Sequence, residues 1–141
     1  MNKSLVSGCA VLAASLLAGA PALAASSSTK TYTATLLGKN EVPKGSPHGS
    51  GTARITLNAS KGQVCYTETW KGIKTPTASH IHQGKAGTAG AVVVPLFSKA
   101  SHSGCVRASK SVIAAIEKSP SGYYVNIHTS DFAAGAIRGQ L

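Results

Sequence analysis

Acidic residues are scarce in this sequence, which holds four Asp and Glu against fourteen Lys and Arg and carries a formal net charge of +10. The carboxylates are Glu41, Glu68, Glu117 and Asp131, scattered along the chain, so paired-acid hydrolysis is poorly supplied. No Gly-x-Ser-x-Gly elbow is present, which removes the strand-to-helix nucleophile of a serine hydrolase. Gly84, Gly87 and Gly90 recur every third residue, but no Gly-Lys-Ser/Thr follows them. They read as turn residues and not as a phosphate-binding loop. Aromatic residues make up 5% of the chain and the lysines (Lys39, Lys44, Lys61, Lys71, Lys74, Lys85, Lys99, Lys110, Lys118) form no run, so a specific nucleic-acid groove is not indicated. The excess charge suits solubility and contact with anionic polymer at a cell surface. No internal repeat is visible.

Long apolar runs are also missing after the first residues. Lys3, the apolar stretch Leu5 to Leu17 and the small-x-small Ala22-Leu23-Ala24 have the form of a secretory leader over residues 1–24, cleaved near Ala24. Gly19 and Pro21 follow the apolar stretch, which is shorter than the ~20 residues of a membrane span. The reading is a secreted, periplasmic or extracellular protein with no membrane span. Val6-Ser7-Gly8-Cys9 imitates a lipidation box, but the hydrophobic segment lies after Cys9, so cleavage there would discard the export signal. Residues 25–30 carry no hydrophobic pattern and read as a flexible tail.

With Cys9 removed by cleavage, Cys65 and Cys105 remain. An even pair in an oxidising compartment is expected to form one disulfide. A Cys/His metal site is the alternative, weakened by the absence of any Cys-x-x-Cys pair.

From Thr31 onward, runs rich in Thr, Val, Ile and Tyr alternate with Gly, Pro, Asn and Ser clusters. That pattern predicts an all-β sandwich or barrel with strands at 31–38, 50–57, 63–70, 78–83, 91–97, 104–107, 122–129 and 136–141. Residues 31–141 are read as one domain. In 50–57, Ala53, Ile55 and Leu57 share a face opposite Thr52, Arg54 and Thr56, as in a sheet with one wet side. One helix is expected where Val112, Ile113 and Ile116 recur on one face, capped by Ser109 or Ser111 and ended by Ser119-Pro120.

The histidines carry the most chemical information. In a strand, alternation puts His80 and His82 on one face and Ile81 on the other, toward the core. In the strand Tyr123 to Thr129 the same rule turns Val125 and Ile127 inward, and Asn126 and His128 away. If the two strands are neighbours, His80, His82 and His128 converge on a three-nitrogen site. Neutral imidazoles suit copper and zinc, and the Irving–Williams order favours copper. The plainer alternative is that these rings only hydrogen-bond nearby groups. His48 and His102, beside Pro47 and Gly104, look like loop residues and not ligands.

The combination His80-Ile81-His82 with Gly84, Gly87 and Gly90, then Tyr124-Val125-Asn126-Ile127-His128-Thr129, then Gly135-Ala136-Ile137-Arg138-Gly139-Gln140-Leu141 resembles the CHRD domain of chordin and many secreted bacterial proteins. The resemblance covers nearly the whole chain after the leader. It implies an immunoglobulin-like β-sandwich distantly similar to copper-zinc superoxide dismutase, and a family without an agreed activity. Residue by residue, His80, His82 and His128 are the positions that fit the copper histidines of a dismutase. No bridging histidine or zinc loop accompanies them, so dismutase-like activity is the lesser expectation and a non-enzymatic protein the greater. Two departures are Ala133-Ala134, where a proline-containing turn is common, and Ala136, where an acid often precedes Ile-Arg-Gly-Gln-Leu. Arg138 is therefore a candidate anion or structural contact without an acidic neighbour in its own motif.

Two functions stand against each other: an exported three-histidine copper or zinc protein, and a metal-free extracellular module whose basic surface meets anionic polymers.

Overall fold

Period-two alternation becomes eight strands in the computed structural model, which describes residues 29–141. The leader read over residues 1–24 lies outside the described residues. The strands are β1 (Thr29–Leu37), β2 (Ser50–Asn58), β3 (Gln63–Lys71), β4 (Pro76–Gln83), β5 (Val92–Phe97), β6 (Ser103–Arg107), β7 (Tyr123–Thr129) and β8 (Ile137–Gln140). One α-helix, α1 (Lys110–Lys118), stands between β6 and β7. The expected strands are all present, with shifts of one or two residues at their ends. One expectation needs correcting. Thr29 and Lys30, placed in the tail 25–30, pair with Asn58 and Leu57 instead, because β2 runs far enough to offer backbone partners there.

The strands form one antiparallel array in the order β5, β4, β7, β8, β1, β2, β3, β6. Ladders are long everywhere except between β8 and β1, which share the single pair Leu37 and Arg138. The array folds at that seam, so β5, β4, β7 and β8 face β1, β2, β3 and β6. Ile81, Val94, Val125, Ile127 and Ile137 from one half meet Leu36, Ala53, Ile55, Leu57 and Val64 from the other in one core. Each of the Val, Leu and Ile side chains contributes about 1.5–3 kcal/mol by leaving water. On the outer side of β1 and β2, Thr33, Thr52 and Arg54 are exposed, the wet face their alternation requires.

The helix begins where Ser109 Oγ accepts the Val112 amide at 3.2 Å, relieving one of the unpaired N–H groups of the first turn. Its Ile113 and Ile116 are fully buried in the same core. Cys65 and Cys105 are directly paired residues of β3 and β6 and form a disulfide.

A carboxyl is buried between the two halves. Glu68, on the inward face of β3, has no exposed surface, and its Oε2 has no hydrogen-bond partner. Ser79 Oγ lies 2.8 Å from Glu68 Oε1 and 3.0 Å from the Asn126 carbonyl. A hydroxyl has one proton, so Ser79 donates to Glu68 when that carboxyl is ionised, and to the Asn126 carbonyl when Glu68 is protonated and donates to Ser79. Burial pushes the Glu68 carboxyl up to about 7, against the lowering influence of Ser79. Between the unfolded value near 4.5 and 7 the unfolded chain ionises while the folded one keeps its proton. This group therefore costs stability progressively as pH rises through that window. Glu68→Gln is expected to match the parent below pH 4.5 and to exceed it by ~3 kcal/mol at pH 8, read from urea unfolding at both pH values.

Candidate metal centre

Register brings the histidines together. Across β4 and β7, His80 pairs with Asn126, His82 with Tyr124 and Ala78 with His128, and directly paired residues share a face. The ring centroids of His80 and His128 are 4.9 Å apart, those of His80 and His82 5.5 Å, and those of His82 and His128 6.1 Å. One ring nitrogen from each lies within 4.8 Å of the others.

Two rings are held by backbone carbonyls. His82 Nδ1 donates to Gly90 O at 2.8 Å and His128 Nδ1 to Ala133 O at 2.9 Å. A carbonyl only accepts, so the neutral form of each ring keeps its lone pair on Nε2. His128 Nε2 sits 3.0 Å from both His80 Nδ1 and Asn126 Oδ1. His82 Nε2 is buried without a hydrogen-bond partner. Burial lowers the His80 imidazole to about 4, with His128 and His82 acting in the same direction. Burial also lowers His82, against the raising effects of its bond to Gly90 and of the Asn126 side chain beside it, which does not reach Nε2 at hydrogen-bonding geometry. Both shifts hold His80 and His82 in the neutral form that a metal ligand requires.

The sequence model of the CHRD domain matches residues 32–141. The chain belongs to the CHRD family. No curated protein and no solved structure matches it at a significant level.

In this CHRD domain the face opposite the core is polar, yet it is not wet. His82 is 8% exposed, Asn126 1% and Arg138 1%, because the segments after β1 and β4 fold over them. Arg138 donates to the carbonyls of Thr88 and Lys85 at 2.9 and 2.8 Å, and to Gln140 Oε1 at 3.1 Å. Its Cζ lies 3.3 Å from the centroid of the Tyr124 ring, a cation–π contact. Tyr124 also stacks on His82, with 4.8 Å between centroids and 8° between planes, and its hydroxyl accepts the Gly90 amide at 3.1 Å. Arg138 and the segment after β4 thus brace the ring that ends on the unpartnered Nε2. A side chain at Gly90 would run into the Gln83 carbonyl, so the close return of this segment over His82 requires glycine.

Sequence reasoning did not find Glu41. Ala136 leaves the Arg138 motif without an acid, and Glu41, in the segment after β1, supplies the carboxyl near Arg138 and Asn126. Glu41 is 4% exposed, and burial pushes it up to about 7 although Asn126 and Arg138 both pull it down. Gly135 makes room: it has φ +139°, and a side chain there would collide with the Glu41 carboxyl. The available signal was the glycine in Gly135-Ala136-Ile137-Arg138, but nothing local names its distant partner.

His48 and His102 stay outside the cluster. His102 stacks on Trp70, with 4.0 Å between centroids and 7° between planes, and its Nδ1 donates to the Glu68 carbonyl at 2.9 Å.

Proposed function

We propose that this CHRD protein is an exported metal-binding protein that holds one ion, copper ahead of zinc, through His80, His82 and His128. The observation that carries the reading is His82 Nε2, a buried ring nitrogen with no hydrogen-bond partner beside two further imidazoles. An unpartnered buried polar atom costs about 1–3 kcal/mol, and a metal ion would satisfy His82 Nε2 together with ring nitrogens of His80 and His128, replacing the hydrogen bond those two rings share. Nitrogens bound to one ion at about 2.0–2.1 Å lie no more than ~4 Å apart. The 4.8 Å cluster therefore closes on an ion through small rotations of the rings.

The donor set supports copper. Three neutral imidazoles without a thiolate or carboxylate suit both copper and zinc, and at equal geometry Cu(II) binds more tightly. A bound copper would supply one-electron chemistry. The chain's own contribution is positional: Gly90 and Ala133 carbonyls fix two ring tautomers, and Tyr124 limits tilting of His82. Storage or buffering of the ion is the use this arrangement serves best, since among the described residues the cluster consists of His80, His82 and His128 with no carboxylate joining it to move protons. Export rests on the leader read over residues 1–24.

Calorimetric titration of the disulfide-bonded chain with Cu(II) and Zn(II) tests the reading. One equivalent of Cu(II) is expected to bind, more tightly than Zn(II), and to be lost in His80→Ala/His82→Ala with the fold intact by circular dichroism. Saturation at one hundred times Kd should also stabilise the parent by ~2.7 kcal/mol. Binding that persists unchanged in the folded double variant, or no binding to the parent, sinks the proposal.

A further inference from the structure

A cavity of about 560 Å³ opens between the segment after β1 and the segment after β4, lined by Lys39, Glu41, Val42, Pro43, Lys44 and Arg138 among others. It lies on the opposite side of Tyr124 in the strand order from β4, which carries His80 and His82. Its size is that of a small-molecule site.

Its charge is unbalanced. Lys39 and Lys44 are exposed, and neither has a carboxylate within ion-pairing distance among the described residues. The remaining acids are engaged elsewhere: Glu117 with Lys30 at 3.9 Å, Asp131 with Lys74 at 2.9 Å, and Glu68 in the core. Glu41 alone faces two lysines and Arg138, and the burial that raises its pKa weakens its ability to neutralise them.

The rest of the lining is mixed. Val42 is 38% exposed, a large apolar side chain left open beside Pro43 and Ala86. Arg138 uses three of its hydrogen-bonding contacts on Thr88, Lys85 and Gln140, fewer than the five N–H groups of a guanidinium. An occupant should thus combine a carboxylate for the two lysines, a nonpolar face for Val42 and Pro43, and hydroxyls for the exposed Asn40 amide that also lines the cavity.

We propose that this cavity binds a uronic acid, a sugar ring bearing a carboxylate, either free or as the end of a polysaccharide. The ring's C–H face packs on Val42 and Pro43 while its carboxylate meets Lys39 and Lys44. The site is separate from the histidine cluster and stands whether or not that cluster takes a metal.

The experiment is an NMR titration of the chain, metal removed by chelator, with galacturonate, galactose and a galacturonate trimer. Galacturonate is expected to shift the amides of Lys39, Glu41, Lys44 and Gly87, and galactose to bind at least tenfold more weakly. Lys39→Ala/Lys44→Ala, both surface changes, should weaken galacturonate at least tenfold while leaving the remaining spectrum folded. A trimer that binds more tightly than the monomer identifies a polymer end as the ligand, and equal affinity identifies the free acid. Equal binding of galactose, an unchanged affinity in the double variant, or no shifts at these residues would overturn the proposal.

Discussion

Arg138→Met is expected to cost the fold about 3–5 kcal/mol, the range for removing one partner from a buried charged network. The substitution keeps most of the stem volume and deletes the fork. Thr88 and Lys85 then lose the donors to their carbonyls, Gln140 loses a donor to its Oε1, and Tyr124 loses the cation 3.3 Å from its ring centroid. Glu41 loses its attracting charge as well. Because the two carbonyls belong to the segment after β4, that segment should loosen before the rest. Urea unfolding measures the first effect, and amide hydrogen exchange at Gly90 the second, since that amide bonds to the Tyr124 hydroxyl. Arg138→Lys keeps a charge without the planar fork and should recover less than half the loss. If Arg138→Met unfolds with parental stability, Arg138 is not the brace described.

Removing the disulfide should have a similar effect by a different route. Cys65 and Cys105 are separated by 40 residues, and closing a loop of that length in the unfolded chain corresponds to ~4 kcal/mol in the chain-entropy model. Cys65→Ser/Cys105→Ser is expected to lose most of that amount. Because the effect is a constraint on the unfolded chain, it stabilises the fold as a whole, although the bond itself joins β3 to β6. Thermal unfolding of the double variant beside the parent decides the point. A loss under 1 kcal/mol would show that β3 and β6 hold their register without the bond.

The elements of the fold were legible because each is written locally. Ala53, Ile55 and Leu57 alternate, and Val112, Ile113 and Ile116 recur, so strand and helix declare themselves within a few residues. The shared face of His80 and His82 follows from the same parity. The neighbouring of β4 and β7 was an assumption in the sequence, and it is register, His80 against Asn126, that carries His128 into place. What the sequence could not show is how loops return. The outward face of β4 and β7 looks merely polar in a linear reading, and only the segments after β1 and β4 make it buried. Glu41 illustrates this limit: 97 residues in sequence separate it from Arg138, and no periodicity links an acid in one loop to a base in the last strand. Glu68 breaks a local rule outright, since alternation places a carboxyl in the core, and the partner that accommodates it, Ser79, comes from the facing half.

The order of the sheet leaves β5 and β6 as its two terminal strands. Exposed edges offer unpaired backbone groups to other chains, and proteins in crowded or unregulated surroundings are prone to strand-by-strand aggregation through them. Both edges here are unsuited to that recruitment. β5 has six residues with Pro95 among them, β6 has five, and β6 is tied to its neighbour through Cys105. Proline withholds a donor from any incoming strand, and the covalent tie prevents β6 from peeling away to swap partners. The chain thus carries its own protection against polymerisation at the two strands where its sheet ends.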